Sequence, residues 1–211
     1  MSNQNSEDQP SESGDQIGAL MALLRDSSKD ANGPYVSGRG EFAPRWQALV
    51  GLVTLGDVAV APLCDALQDP NAYTRRFAAE ALRRIGDSRA VMPLVVALQE
   101  SEVYVQRYVA GALAVLGDAR AVEPLYTALQ NLALAREALA ALQVVLARTA
   151  GNVPTHVLRL LIGLADDGRA VVEVPDTDGG YLSWNQVEQW LDCRPVKQLA
   201  QQELARRGLV G

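Results

Sequence analysis

A segment of 31 residues occurs three times in succession, and that repetition limits the fold more than any other feature of this 211-residue chain. The copies are RWQALVGLVTLGDVAVAPLCDALQD from Arg45, RRFAAEALRRIGDSRAVMPLVVALQE from Arg75 and QRYVAGALAVLGDARAVEPLYTALQN from Gln106. Pro62, Pro93 and Pro124 are 31 residues apart, as are Leu67, Leu98 and Leu129. The Gly-Asp pairs at 56/57, 86/87 and 117/118 are spaced 30 and then 31, so the first copy lacks one residue after its pair. A unit this short cannot cover its own apolar surface and must stack on its neighbours.

Each unit reads as two helices around a sharp turn. In the middle copy Phe77, Ala78, Ala81, Leu82 and Ile85 fall on one helical stripe. Gly86 suits the left-handed position that ends the helix, and Asp87 suits the N-cap of the next. Pro93 then sits in the first turn, where a missing N–H costs least. Val91, Leu94 and Leu98 form the second apolar stripe. The same grammar predicts capping roles for Asp57 and Asp118.

The ends of the array are less regular. QIGALMALLRDS, residues 16–27, reads as a single helix of a partial first unit, joined to the first full copy by a Gly- and Pro-containing loop from Lys29 to Pro44. ALAREALAALQVVLAR from Ala133 and VPTHVLRLLIGLADDG from Val153 read as a diverged fourth pair without a Gly-Asp turn. From Arg169 the β-branched RAVVEV and the turn-forming DTDGG predict a hairpin or irregular cap, followed by a terminal helix over 196–207. The expected division is an acidic, disordered tail at 1–15, a repeat solenoid at 16–165 and a C-terminal cap at 166–211.

Composition narrows the class. Net charge is −6, which disfavours a nucleic-acid partner. The first fifteen residues lack the pattern of a signal or transit peptide. Charged residues interrupt every apolar run, so no membrane span is expected. Cys64 and Cys193 show no metal-ligand or redox spacing and read as reduced thiols, consistent with a cytoplasmic location.

The pattern GD-x-RAV-x-PL-x-x-AL, carried here by Gly86-Asp87, Arg89-Ala90-Val91, Pro93-Leu94 and Ala97-Leu98, resembles the HEAT-like repeats named after the phycobilin lyases. The likeness runs through residues 45–130 and weakens over 131–165. It implies an all-α, right-handed α-solenoid of about four to five helix pairs. It also implies two lines of function: an interaction scaffold or chaperone-like protein, or a phycobilin lyase subunit that handles a linear tetrapyrrole on phycobiliproteins, working with a second helical-repeat subunit. No resident cofactor is expected; a phycobilin would be a transient ligand. The di-iron chemistry of a related repeat hydroxylase does not transfer, because His156 is the one histidine in the chain.

No set of titratable residues converges in the sequence, so neither a catalytic nor a metal site is expected. His156, at a helix start with no carboxylate nearby in sequence, reads as a surface residue. Asp176 to Gln186 resembles a calcium loop with one residue deleted and Gln186 in place of the bidentate Glu, and reads as a polar turn. Arg75, Arg76, Arg83 and Arg84 form the densest basic patch, a candidate for an anionic partner or tetrapyrrole propionate. On the second helices, the side opposite the core stripe is expected to present Ala61, Cys64, Asp65 and Gln68; Met92, Val95, Val96 and Gln99; and Glu123, Tyr126, Thr127 and Gln130. These columns vary while the core repeats, and Met92, Val95, Val96 and Tyr126 are expected to form an exposed apolar patch against which a protein partner docks.

Overall fold

Apolar residues at helical spacing, punctuated by Gly and Asp, fold each repeat into a helix pair, and four such pairs stack. The structure, a computed structural model, describes residues 12–26, 44–100, 102–164, 167–175 and 184–209. The tail before residue 12, most of the loop from Lys29 to Pro44 and the turn at 176–183 lie outside the described residues.

After α1 (Glu12–Arg25) come the pairs α2 (Pro44–Leu55) with α3 (Val60–Ala66), α4 (Ala72–Ile85) with α5 (Val91–Glu100), α6 (Val103–Leu116) with α7 (Val122–Ala128), and α8 (Ala135–Thr149) with α9 (Thr155–Ile162). The first helices form one layer, α2 on α4, α4 on α6 and α6 on α8. The second helices form another, with α3 against the turn that opens α5, α5 on α7 and α7 on α9. Leu52, Leu82 and Leu113 from the first layer and Leu63, Leu94 and Leu125 from the second meet in one continuous core and are fully buried. This is the all-α repeat solenoid that the 31-residue period predicts.

The turn chemistry explains why the units superimpose. Gly86 and Gly117 take φ of 77° and 59°, and their N–H groups close on Leu82 O at 2.9 Å and Leu113 O at 3.0 Å. Asp87 and Asp118 then accept the N–H of Arg89 and Arg120, each at 2.8 Å, and open 3-10 turns that lead into α5 and α7. Each arginine also returns its guanidinium to its aspartate at 2.7 Å.

Asp57 departs from the expectation. The first unit lacks the residue that would be this arginine, the 3-10 turn begins at Gly56 itself, and no side-chain cap forms there among the described residues. The Asp57 carbonyl instead accepts Arg89 Nη2 of the next unit at 3.1 Å.

A second recurring device joins one unit to the next. Arg45, Arg75 and Gln106 occupy the same repeat position, and each reaches a carbonyl at or just beyond the end of a preceding helix. The acceptors are Leu24 O at 2.8 Å, Asp69 O at 2.7 Å and Leu98 O at 2.6 Å, respectively. Such bonds satisfy carbonyls left without partners at helix ends.

Beyond α9, β1 (Asp167–Pro175) and β2 (Trp184–Asp192) pair antiparallel, with Val172 opposite Val187. The chain then returns as α10 (Arg194–Arg206), which packs on both α8 and α9. The hairpin therefore interrupts the helical stack in sequence without ending it in space. The fourth pair, which has no Gly-Asp, still turns through a 3-10 segment at Ala150–Asn152.

Pro44–Ala66 is the one stretch among the described residues long and apolar enough, by length and composition, to cross a membrane. Gly56, at φ 65°, and Asp57 divide it into two helices, and Ala48, Leu49, Leu52, Leu63 and Ala66 point into the core.

Candidate functional site

The second-helix layer carries a regular free face. Ala61, Asp65 and Gln68, then Met92, Val96 and Gln99, then Glu123, Thr127 and Gln130 are all exposed. Met92 and Val96, one turn apart on α5, are 49% and 41% exposed, which makes them the apolar centre of this face.

Val95 does not belong to it. At 8% exposure it is part of the core, which corrects its expected place in an apolar surface patch. The cause is helical phase: Val95 lies four residues after Val91 and three before Leu98, so it shares their face. Its counterparts Cys64 and Tyr126 are half-buried and likewise pack on the core. The face is thus narrower than the sequence predicts, with three residues per helix.

The setting of Cys64 disfavours its thiolate. Burial pushes its thiol up to about 11, Asp65 and Asp87 add to the shift, and Arg89 opposes it. Such a group is a poor nucleophile at neutral pH.

His156 gains a partner that sequence reading missed. Its Nε2 lies 4.0 Å from Glu123 Oε2, linking α9 to α7, with both side chains exposed. The residues are 33 apart, and only the stacking of α7 on α9 brings them together.

Each of the four arginines of α4 engages groups of the chain itself. Arg75 is largely buried and bonds the carbonyls of Asp69 and Pro70 at 2.7 and 3.0 Å. Arg76 donates to Tyr104 Oη and lies 4.5 Å over the Tyr108 ring. Burial drives the Tyr104 hydroxyl up to about 12, against the pull of Arg76. Arg83 and Arg84 both clasp Glu80, at 2.8 and 2.7 Å, and Arg84 also covers Trp46 at 4.7 Å. Burial works against the Glu80 charge, but these bonds outweigh it and its pKa falls below the ordinary value. Spacing on one helix could not reveal these engagements, because the partners come from α2 and α6 as well as from α4.

The outgoing arm of the calcium-like loop is a strand. Gln186 pairs with Glu173 across the hairpin, where a helix would follow in a helix–loop–helix calcium site.

Comparison with known proteins agrees with the repeat architecture. Residues 60–144 match HEAT repeats, and residues 44–69 match the PBS lyase HEAT-like repeat. No curated protein sequence matches significantly. Among 18 matching chains of solved structures is one from the complex of CpcE and CpcF of phycocyanin lyase from Nostoc sp. PCC7120. It is 24% identical, with a TM-score of 0.45, over 70% of this chain and 56% of that one. This chain therefore spans little more than half of that relative.

Proposed function

We propose that this chain, whose residues 60–144 match HEAT repeats and whose residues 44–69 match the PBS lyase HEAT-like repeat, is a cytoplasmic protein-binding module, a scaffold or chaperone-like protein that holds its partner on the free face of the second-helix layer. The observation that carries this reading is the contrast within α5. Val91, Leu94 and Val95 fill the core, while Met92 and Val96 stay exposed beside them. An exposed apolar pair bordered by Asp65, Glu123 and Gln99 has the composition of an interface centre with a polar rim. Thr127 belongs to the same face.

The test is co-purification from the native host with Met92→Asp/Val96→Asp beside the wild type, each checked for unchanged helicity. Loss of the bound proteins in the variant supports the reading. Identical capture by both removes it.

The match of residues 44–69 to the PBS lyase HEAT-like repeat favours a second reading, a phycobilin lyase subunit. In that role the chain works with a second helical-repeat subunit and presents a transiently held bilin to a phycobiliprotein. Co-expression with a bilin and a phycobiliprotein separates the two: covalent bilin on the acceptor requires more than binding.

A further inference from the structure

The two helix layers differ in charge. Helices α2, α4, α6 and α8 together hold eight arginines against two carboxylates, Glu80 and Glu137. The second helices α3, α5, α7 and α9 hold one arginine, Arg159, against Asp65, Glu100 and Glu123. The first-helix layer therefore carries a net charge of +6 in a chain whose total is −6.

Contacts within the chain leave much of that charge uncancelled. Arg83 and Arg84 share the single Glu80. Arg76 rests on the rings of Phe77, Tyr104 and Tyr108 and donates to Tyr104 Oη, while Arg148 donates to Val115 O; none of these groups is charged. Among the described residues, no carboxylate pairs with Arg76, Arg148 or the exposed Arg136. A guanidinium has five N–H donors, so each of these arginines keeps donors for an outside acceptor.

The same layer is apolar between its arginines. Val50 on α2, Tyr104 and Val115 on α6 and Val144 on α8 are between 38% and 47% exposed. Tyr and Arg together are the residues that interface centres favour.

We propose that the outer side of the first-helix layer is a second docking surface, and that it takes an acidic protein segment. Carboxylates of the segment meet the surplus arginines in paired N–H···O bonds, and its apolar side chains cover Val115 and Val144. A nucleic-acid backbone fits the charge but offers nothing to these valines. The surface is separate from the second-helix face, which Asp65 and Glu123 border, so the two select partners of opposite charge.

The test is fluorescence anisotropy of the full chain at low salt with three labelled probes: the random copolymer poly(Glu,Tyr), poly-Glu and an oligothymidylate. The copolymer should bind most tightly. Arg83→Gln/Arg84→Gln/Arg136→Gln should weaken that binding by about tenfold, from three exposed ion pairs lost. Arg136→Glu, at an exposed site with no described bond to lose, should weaken it several-fold and serves where the triple variant folds poorly. Val115→Asn/Val144→Asn should remove the preference for the copolymer over poly-Glu. Met92→Asp/Val96→Asp, on the other layer, should change nothing.

Unchanged copolymer binding in both arginine variants overturns the proposal. So does copolymer binding that is absent, or no tighter than that of poly-Glu or the oligothymidylate. Loss of copolymer binding in Met92→Asp/Val96→Asp overturns the separate surface, and co-purification with that variant judges the second-helix face independently. Sedimentation showing a wild type that self-associates and an Arg136→Glu variant that does not assigns the layer to a second copy of the chain and overturns the acidic partner.

Discussion

The Arg148 guanidinium on α8 donates from Nη1 to the carbonyl of Val115, 2.9 Å away near the end of α6. That bond lays the guanidinium over Gly117, where a Cβ would stand 2.7 Å from Arg148 Cζ and Nη1. Gly117→Ala therefore meets two costs: a left-handed backbone, and displacement of an arginine that must give up its bond. Gly86, at φ 77°, has nothing within 4 Å of such a Cβ and meets only the first. Urea titrations should show a loss of about 1 kcal/mol for Gly86→Ala and roughly 2 kcal/mol for Gly117→Ala. In an Arg148→Ala background the two losses should converge; a persistent gap would show that Arg148 is not its source.

The contrast between these two glycines also marks what a sequence of this kind reveals. The left-handed turn at Gly86 and Gly117 and the caps at Asp87 and Asp118 use neighbouring residues, so a local pattern announces them. Arg148 to Val115 and Arg207 to Ala150 join residues 33 and 57 apart. No local pattern distinguishes such an arginine from one facing water. The candidate face was legible to within one helical column. Its exposed positions follow from the period, but Val95, Cys64 and Tyr126 sit at the border of the stripe, where they pack wholly or partly on the core.

Val95 and Val96 give a direct check of that border. Val95→Asp places a charge in the core and should destabilise the chain by several kcal/mol, enough to unfold a domain of ordinary stability. Val96→Asp, at an exposed site, should change the urea midpoint little. Equal effects of the two would show that the helical phase of α5 is misplaced.

Cys64 should be a slow thiol. With its pKa raised from the ordinary 9.0 to about 11, burial being the main cause, the thiolate fraction at pH 8 drops about a hundredfold. In a Cys193→Ala background, iodoacetamide should label the native protein slowly, with a rate that climbs as pH approaches 11, and label the urea-unfolded protein at the rate of a free thiol. Rapid labelling at pH 8 in the native state would contradict the burial of this side chain.

Glu203 on α10 offers a sharper reading of how the terminal helix is held. Its carboxylate accepts from Arg206 Nε at 2.8 Å and Arg207 Nε at 2.7 Å, and Arg207 Nη2 carries on to the carbonyls of Ala150 and Gly151 at 2.8 and 2.9 Å. The Arg206 bond first, and the Arg207 bond second, hold the carboxyl down from an ordinary 4.5 to about 2. A lowered folded-state pKa stabilises the protein fully above the unfolded value and is lost as pH falls through the folded one. The contribution should therefore be intact above about pH 5 and fade between about 4.5 and 2. Asp87, Asp118 and Glu80 are also lowered by their arginines, so wild type and Glu203→Gln should both weaken in acid. The diagnostic quantity is the difference between them. Thermal melts should place the variant below the wild type at pH 7, with the gap closing toward pH 2. A gap independent of pH would mean that Glu203 holds α10 by packing rather than by its charge.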